Sequence, residues 1–213
     1  IHYVVDGKDE VSPQLEEEED GHGGDGRGKD EDALPCSNNE PQRRRWGGGD
    51  SGNRSRGTTQ YPALCIQSLS VYASTIQQDP HELVQTALSL SLNHTEATKT
   101  FVAKCNKFRG LKPREYAALK DCAEEISDSV DRLSRSLKEL KLCKVKGEDF
   151  TWHISNVETW VSSALTDEST CGDGFAGKAL NGKIKEAIRA RMVNVAQVTS
   201  NALSLINQYA AQH

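Results

Sequence analysis

From Tyr61 onward, apolar side chains return every three or four positions, the spacing that keeps them on one face of a helix. The most regular stretch follows Pro113, where Tyr116, Leu119, Ala123, Ile126, Val130, Leu133, Leu137 and Leu140 step alternately by three and four. That alternation, sustained over more than three heptads, is the seam of a helix packed in a bundle. Upstream, Asp79-Pro80 sets a helix N-cap before a proline at the first helical position. Leu83, Ala87, Leu90, Ala97, Phe101 and Phe108 follow, with His94 filling a gap in the stepping, and this helix should stop near Arg109-Gly110. Downstream, Gly147 breaks the pattern and Asp149 can cap a third helix whose seam is Phe150, Ile154, Val157, Val161 and Ala164. After a glycine-containing loop, a fourth helix carries Ile184, Ile188, Met192, Val195, Val198, Ala202, Leu205 and Tyr209. A shorter helix or hairpin covers about Tyr61 to Ile76, and no run alternates like a strand. The pattern predicts an all-α fold, an up-down-up-down four-helix bundle with an N-terminal helical hairpin.

Composition divides the chain into a tail, residues 1–57, and a helical domain, residues 58–213. The tail holds 11 of the 17 glycines, the acidic block Glu16–Asp20 and the basic run Arg43-Arg44-Arg45. With few apolar residues and no periodicity, it cannot bury enough surface to offset its ordering entropy and reads as disordered. The chain's net charge is −5, and the tail carries slightly more than all of it, which leaves the helical domain close to neutral. A near-neutral domain lacks the basic face that nucleic-acid binding needs, and no stretch of eighteen apolar residues could span a membrane. Ile1–Val5 lacks the charged and apolar regions of a secretion signal.

Of the six cysteines, bundle geometry matches one pair. A helix from Pro113 to Cys143 is roughly 45 Å long at 1.5 Å per residue. The antiparallel third helix ends near Leu165, level with residues around 125, so Cys171 comes close to the level of Cys122. That topology predicts a Cys122–Cys171 disulfide. Cys105 and Cys143 sit near opposite ends of the second helix, far beyond the separation of about 7 Å that a disulfide tolerates, and should stay free. Cys65 has no candidate partner except Cys36 in the tail.

No catalytic constellation is present. The six histidines are scattered, and the chain has no zinc-binding His-Glu-x-x-His, no Cys-x-x-Cys, no nucleophile elbow and no phosphate loop. The one Glu-x-x-His, Glu19 to His22, lies in the tail. His94 reads as a hydrogen-bonded seam residue, and Trp152 and Trp160 as packing residues. No catalytic, cofactor-binding or metal-ligating residue is assigned. One surface pattern does suggest binding: Glu124, Asp128 and Asp131 recur at i, i+4 and i+7, which lines them along one outward helix face. A solvated acidic face and a docking ridge would share that spacing.

Residues 57–213 closely resemble the plant invertase and pectin methylesterase inhibitor family. The resemblance rests on Thr58-Thr59-Gln60-Tyr61-Pro62-Ala63-Leu64-Cys65, Ala118-Leu119-Lys120-Asp121-Cys122, Trp160 through Phe175, and Thr199-Ser200-Asn201-Ala202-Leu203-Ser204-Leu205. It implies a hairpin-plus-bundle fold and a Cys122–Cys171 bond. Where invertase inhibitors carry Pro-Lys-Phe, this chain has Glu148-Asp149-Phe150. Its Trp-Val-Ser-Ser-Ala-Leu-Thr string is similar to the pectin methylesterase branch. The resemblance therefore implies a secreted, non-enzymatic inhibitor of pectin methylesterase in the plant cell wall, acting as a one-to-one complex over the pectin-binding cleft. Acid invertase is the alternative partner, and a non-inhibitory bundle or detached pro-region is a third reading. By position, the resemblance assigns partner contacts to Glu124, Asp128, Asp131, Thr170 and Asp173. A face built of carboxylates loses charge toward pH 4, so docking through it should weaken in acid.

Two departures stand out. The family places its first cysteine nine positions before Cys65, where this chain has Arg56. The hairpin disulfide is then either lost or supplied irregularly by Cys36. The tail occupies the place of the family's secretion signal, as a mis-joined or divergent first exon would. Asn93-His94-Thr95 and Asn53-Arg54-Ser55 are glycosylation sequons for a chain entering the secretory pathway.

Overall fold

Each long helix begins where the sequence supplies a local start. In a computed structural model that describes Cys36 and residues 59–143, 148–176 and 182–212, two short helices come first: α1 (Pro62–Leu69) and α2 (Ala73–Ile76), joined by a 3₁₀ turn at Ser70–Tyr72. The chain then reverses through Gln77 and Gln78, both in the left-handed region with φ of 44° and 64°. Asp79 accepts a hydrogen bond from the His81 N–H at 2.9 Å and opens α3 (Pro80–Cys105). Gly110 turns the chain at φ 92°, a conformation that costs glycine nothing. Lys112 then precedes α4 (Pro113–Leu140), with the Lys112 N–H donating to Glu115 at 2.8 Å. The last two helices are α5 (Glu148–Gly174) and α6 (Lys183–Ala210).

Cross-helix contacts fix the topology. His81 meets the Leu140 carbonyl and Lys99 meets Ser127, so α3 and α4 run antiparallel. Arg132 meets Asp167 while Glu139 meets His153, which sets α4 against α5 in the same sense. Phe150 stacks edge-on against Tyr209 while Glu168 meets Thr199, reversing α6 against α5. Ser91 with Thr199 and His94 with Asn194 close the ring from α3 to α6. The fold is an up-down-up-down four-helix bundle preceded by a short helical segment, and no strand occurs among the described residues.

Beyond the packing of Cys65, Leu69 and Ile76 in the core, the start of this segment is tied to the bundle by hydrogen bonds from α6. Asn201 accepts from the Tyr61 N–H and donates to the Tyr61 carbonyl, both at 2.9 Å, and Ser200 donates to Gln60 beside it. Asn201→Ala leaves both backbone groups of Tyr61 without these partners and should cost about 1–3 kcal/mol. Amide hydrogen exchange should accelerate over residues 61–76 and stay unchanged in α4; unchanged exchange in α1 would contradict the role.

Cys65 has a partner: Cys36 is disulfide-bonded to it across 29 positions of sequence, with Cα atoms 5.7 Å apart. Of the two alternatives the sequence leaves open, replacement by Cys36 is the one observed. Cys36 is buried against the hairpin core, and its carbonyl accepts from Thr59 at 3.2 Å. The rest of the tail, the Asn53 sequon and the Gly147 break lie outside the described residues. Cys105 and Cys143 are free and buried. Burial raises both thiols, Cys143 to about 11 with Glu139 adding to the effect, so neither is a reactive thiolate at neutral pH.

The helical pattern changes in three places. The first half of α3 buries Leu83 and Ala87 as expected, but in its second half Ser91, Thr95, Thr98 and Val102 point inward while Ala97 is exposed, and α3 ends at Cys105 so that Phe108 lies outside it, exposed. Trp152, expected to pack, is 68% exposed. The seam of α4 buries Leu119, Ile126, Val130, Leu133 and Leu140 and half-buries Ala123 and Leu137, whereas Tyr116 at its open end is exposed.

A candidate docking face beside the Cys122–Cys171 bond

Cys122 and Cys171 are bonded, with Cα atoms 4.4 Å apart. Both lie in the apolar cluster at one end of the bundle, with Leu119, Ile126, Phe175 and Met192. The bond forms because α5 runs past the expected stop near Leu165 to Gly174, which carries Cys171 into helix rather than loop.

The bond locks two helix surfaces together. On α4, Glu124, Asp128 and Asp131 are all exposed. Lys120 approaches Glu124 at 3.8 Å, a solvent-facing i, i+4 pair of little energetic weight. On α5, Thr170 and Asp173 flank Cys171 and are exposed, the Thr170 hydroxyl donating to the Thr166 carbonyl at 2.9 Å. All five predicted contact residues therefore lie at the surface of the two helices that the disulfide joins. Asn93 is exposed on α3, while Thr95 of its sequon is buried.

The acidic character extends beyond the predicted residues. Partial burial together with the charges of Asp167, Asp128 and Asp121 raises the Glu125 carboxyl, Arg132 countering in part. Exposed Asp121, Glu124 and Asp128 thus surround the half-buried Glu125, a stretch of surface that favours a cationic or hydrogen-bond-donating partner, while Asp167 is buried. Arg132 donates to Asp167 at 2.8 Å across the helix pair, holding the ridge in register with α5. Burial raises Asp167 and the guanidinium opposes it. Sequence spacing missed Asp121, Glu125 and the Arg132–Asp167 bridge, although the first two lie within the same acidic run.

Behind this face lies a residue that the apolar stepping passed over. Glu168 is fully buried and accepts from Ser129 at 2.9 Å, Thr199 at 3.0 Å and Thr95 at 3.4 Å, all at Oε1. It continues the Val161, Ala164 seam by one further step of four, which was the available signal. No group of His, Cys, Asp or Glu among the described residues is arranged to hold a metal ion. Among the described residues, no helix is long and apolar enough to cross a membrane.

A model of the plant invertase/pectin methylesterase inhibitor family matches residues 54–205. The carrot (Daucus carota) "21 kDa protein" is 62% identical over 156 residues, covering 73% of this chain and 81% of that one. Pectinesterase inhibitors 9 and 11 of Arabidopsis thaliana are 54% and 48% identical, each over 157 residues, covering 72% and 73% of this chain and 77% and 78% of theirs. A crystal structure of a mutant form of an Arabidopsis pectin methylesterase inhibitor superposes with a TM-score of 0.57 at 17% identity, covering 70% of this chain and 90% of that one, a likeness of fold. The chain belongs to the plant invertase/pectin methylesterase inhibitor family.

Proposed function

We propose that this protein inhibits a plant pectin methylesterase by forming a one-to-one complex in which the α4–α5 face covers the enzyme's pectin-binding cleft. The observation that carries this reading is the exposed ridge of Glu124, Asp128 and Asp131, set on helices that a disulfide and a charged hydrogen bond hold rigid. Rigid display lowers the ordering cost of association, and Thr170 and Asp173 extend the same face across the helix pair. The names of its relatives, pectinesterase inhibitors, favour the esterase over invertase. Inhibition needs no chemistry from this chain: burial of a standard interface of about 1,600 Å² excludes the polymer. Two disulfides suit an oxidising compartment, and the plant cell wall is the location this reading assigns.

The test measures two activities. Added to a plant pectin methylesterase and, separately, to an acid invertase, the protein should suppress methanol release from pectin and leave sucrose hydrolysis unchanged. Suppression of invertase alone would transfer the function to the other branch, and no effect on either enzyme would favour a non-inhibitory bundle.

A further inference from the structure

The core of the bundle is divided. One apolar cluster runs from Cys36 and the hairpin through Leu133, Leu140, Val161 and Ala202; the other gathers Val102, Leu119, Ile126, Cys171 and Met192 at the opposite end. Between them lies a polar layer to which every long helix contributes: Ser91 and Thr95 from α3, Ser129 from α4, Glu168 from α5 and Thr199 from α6. Its hydrogen bonds converge on one atom. Ser129 and Thr199 donate to Glu168 Oε1, and Thr95 shares its single proton between that oxygen and the Ser91 carbonyl at 2.8 Å. Ser91 stands 2.7 Å from the Thr199 hydroxyl, so it can donate to Thr199 while Thr199 donates onward.

Among the described residues, Glu168 Oε2 has no hydrogen-bond partner. An ionised carboxylate here would hold part of a full charge on an oxygen with no donor, between two apolar clusters. The groups facing it from α3, α4 and α6 are hydroxyls, not cations. The one charge acting on it is Asp167 of its own helix, which is of like sign and already engaged with Arg132. With Oε1 occupied as an acceptor, Oε2 is the atom that carries the proton of the neutral acid.

We infer that Glu168 and its hydroxyl cage form a pH-sensitive joint between the two halves of the core, closed while the acid is neutral and loosened when it ionises. Burial is the largest influence on this carboxyl and pushes it up to about 7, against the three hydroxyl hydrogen bonds that pull it down. The folded state therefore keeps a proton that the unfolded chain releases near 4.5. Between those values the unfolded state binds fewer protons, so stability falls as pH rises. This contribution is fully present below about 4.5 and is lost as pH passes through about 7. The joint thus makes the fold most secure in acid, independently of which enzyme is bound.

The test uses the full disulfide-bonded chain. Carbon NMR of the Glu168 side-chain carboxyl, assigned through its own backbone, should titrate about two pH units above an ordinary glutamate. Separately, Glu168→Gln keeps the shape and removes the charge. The wild-type Tm should drop relative to that of E168Q by roughly 5–10 °C between pH 5 and pH 8. A titration midpoint near 4.5, or parallel Tm profiles for the two proteins, would overturn the inference. If E168Q does not fold, the carboxyl titration of the wild-type chain decides alone.

Discussion

Reversing the ridge, with Glu124→Lys, Asp128→Lys and Asp131→Lys combined, should weaken inhibition of pectin methylesterase by about a hundredfold or more. The three side chains lie outside the core, and the helix beneath them is fixed by Leu119, Ile126, Leu133 and the disulfide, so the fold should survive. Juxtaposed like charges at an interface oppose binding more strongly than simple truncation does. Glu96→Lys, an equally exposed charge reversal on α3, is the control and should inhibit like the wild type. If the triple variant keeps wild-type potency while its circular dichroism is unchanged, the acidic ridge is a solvated face and nothing more.

Removing the staple should have the largest effect on stability. Cys122 and Cys171 close a loop across 49 positions, and both are buried. The double variant Cys122→Ala, Cys171→Ala should lose about 2–4 kcal/mol, chiefly because the unfolded chain regains freedom. Calorimetry should show a Tm lower by roughly 5–15 °C. Opening Cys36–Cys65 should instead free the segment ahead of the hairpin with a smaller effect on the four helices, because that bond lies beside α1 at the edge of the bundle. Equal Tm values for wild type and the Cys122/Cys171 variant would show that helix packing alone sets stability.

The bundle was legible wherever apolar periodicity was strict. In α4 the alternating steps mark Leu119, Ile126, Val130, Leu133 and Leu140, which the structure buries, with Ala123 and Leu137 half-buried at the edge of the same seam, and that register brings Cys122 to Cys171. Periodicity failed in the second half of α3, where hydropathy favoured Ala97 while Thr95 and Thr98 turned inward. A threonine can enter a helical core by returning its proton to the carbonyl four residues back, as Thr95 does to Ser91. Such a residue counts as polar in a sequence pattern and behaves as small and apolar in a core. Glu168 escaped for a related reason: its burial depends on hydroxyls from three other helices, and no local signal announces partners so distant in sequence. The Cys36–Cys65 bond was open for the opposite reason, since nothing periodic in the glycine-rich tail shows how it returns to α1.

The five contact positions came from family resemblance, not from spacing. Spacing alone showed that Glu124, Asp128 and Asp131 share a face, and the structure adds that Arg132 ties their helix to α5 through the buried Asp167.

Whether the α4–α5 face is the one that meets the enzyme is decided most directly by hydrogen exchange of the protein alone and in a one-to-one mixture with pectin methylesterase. Protection is expected over residues 120–135 and 163–175, with the outer surface of α3 and the Trp152 end of α5 unchanged. Protection confined to α3 and α6, with the ridge exchanging as in the free protein, would contradict the account.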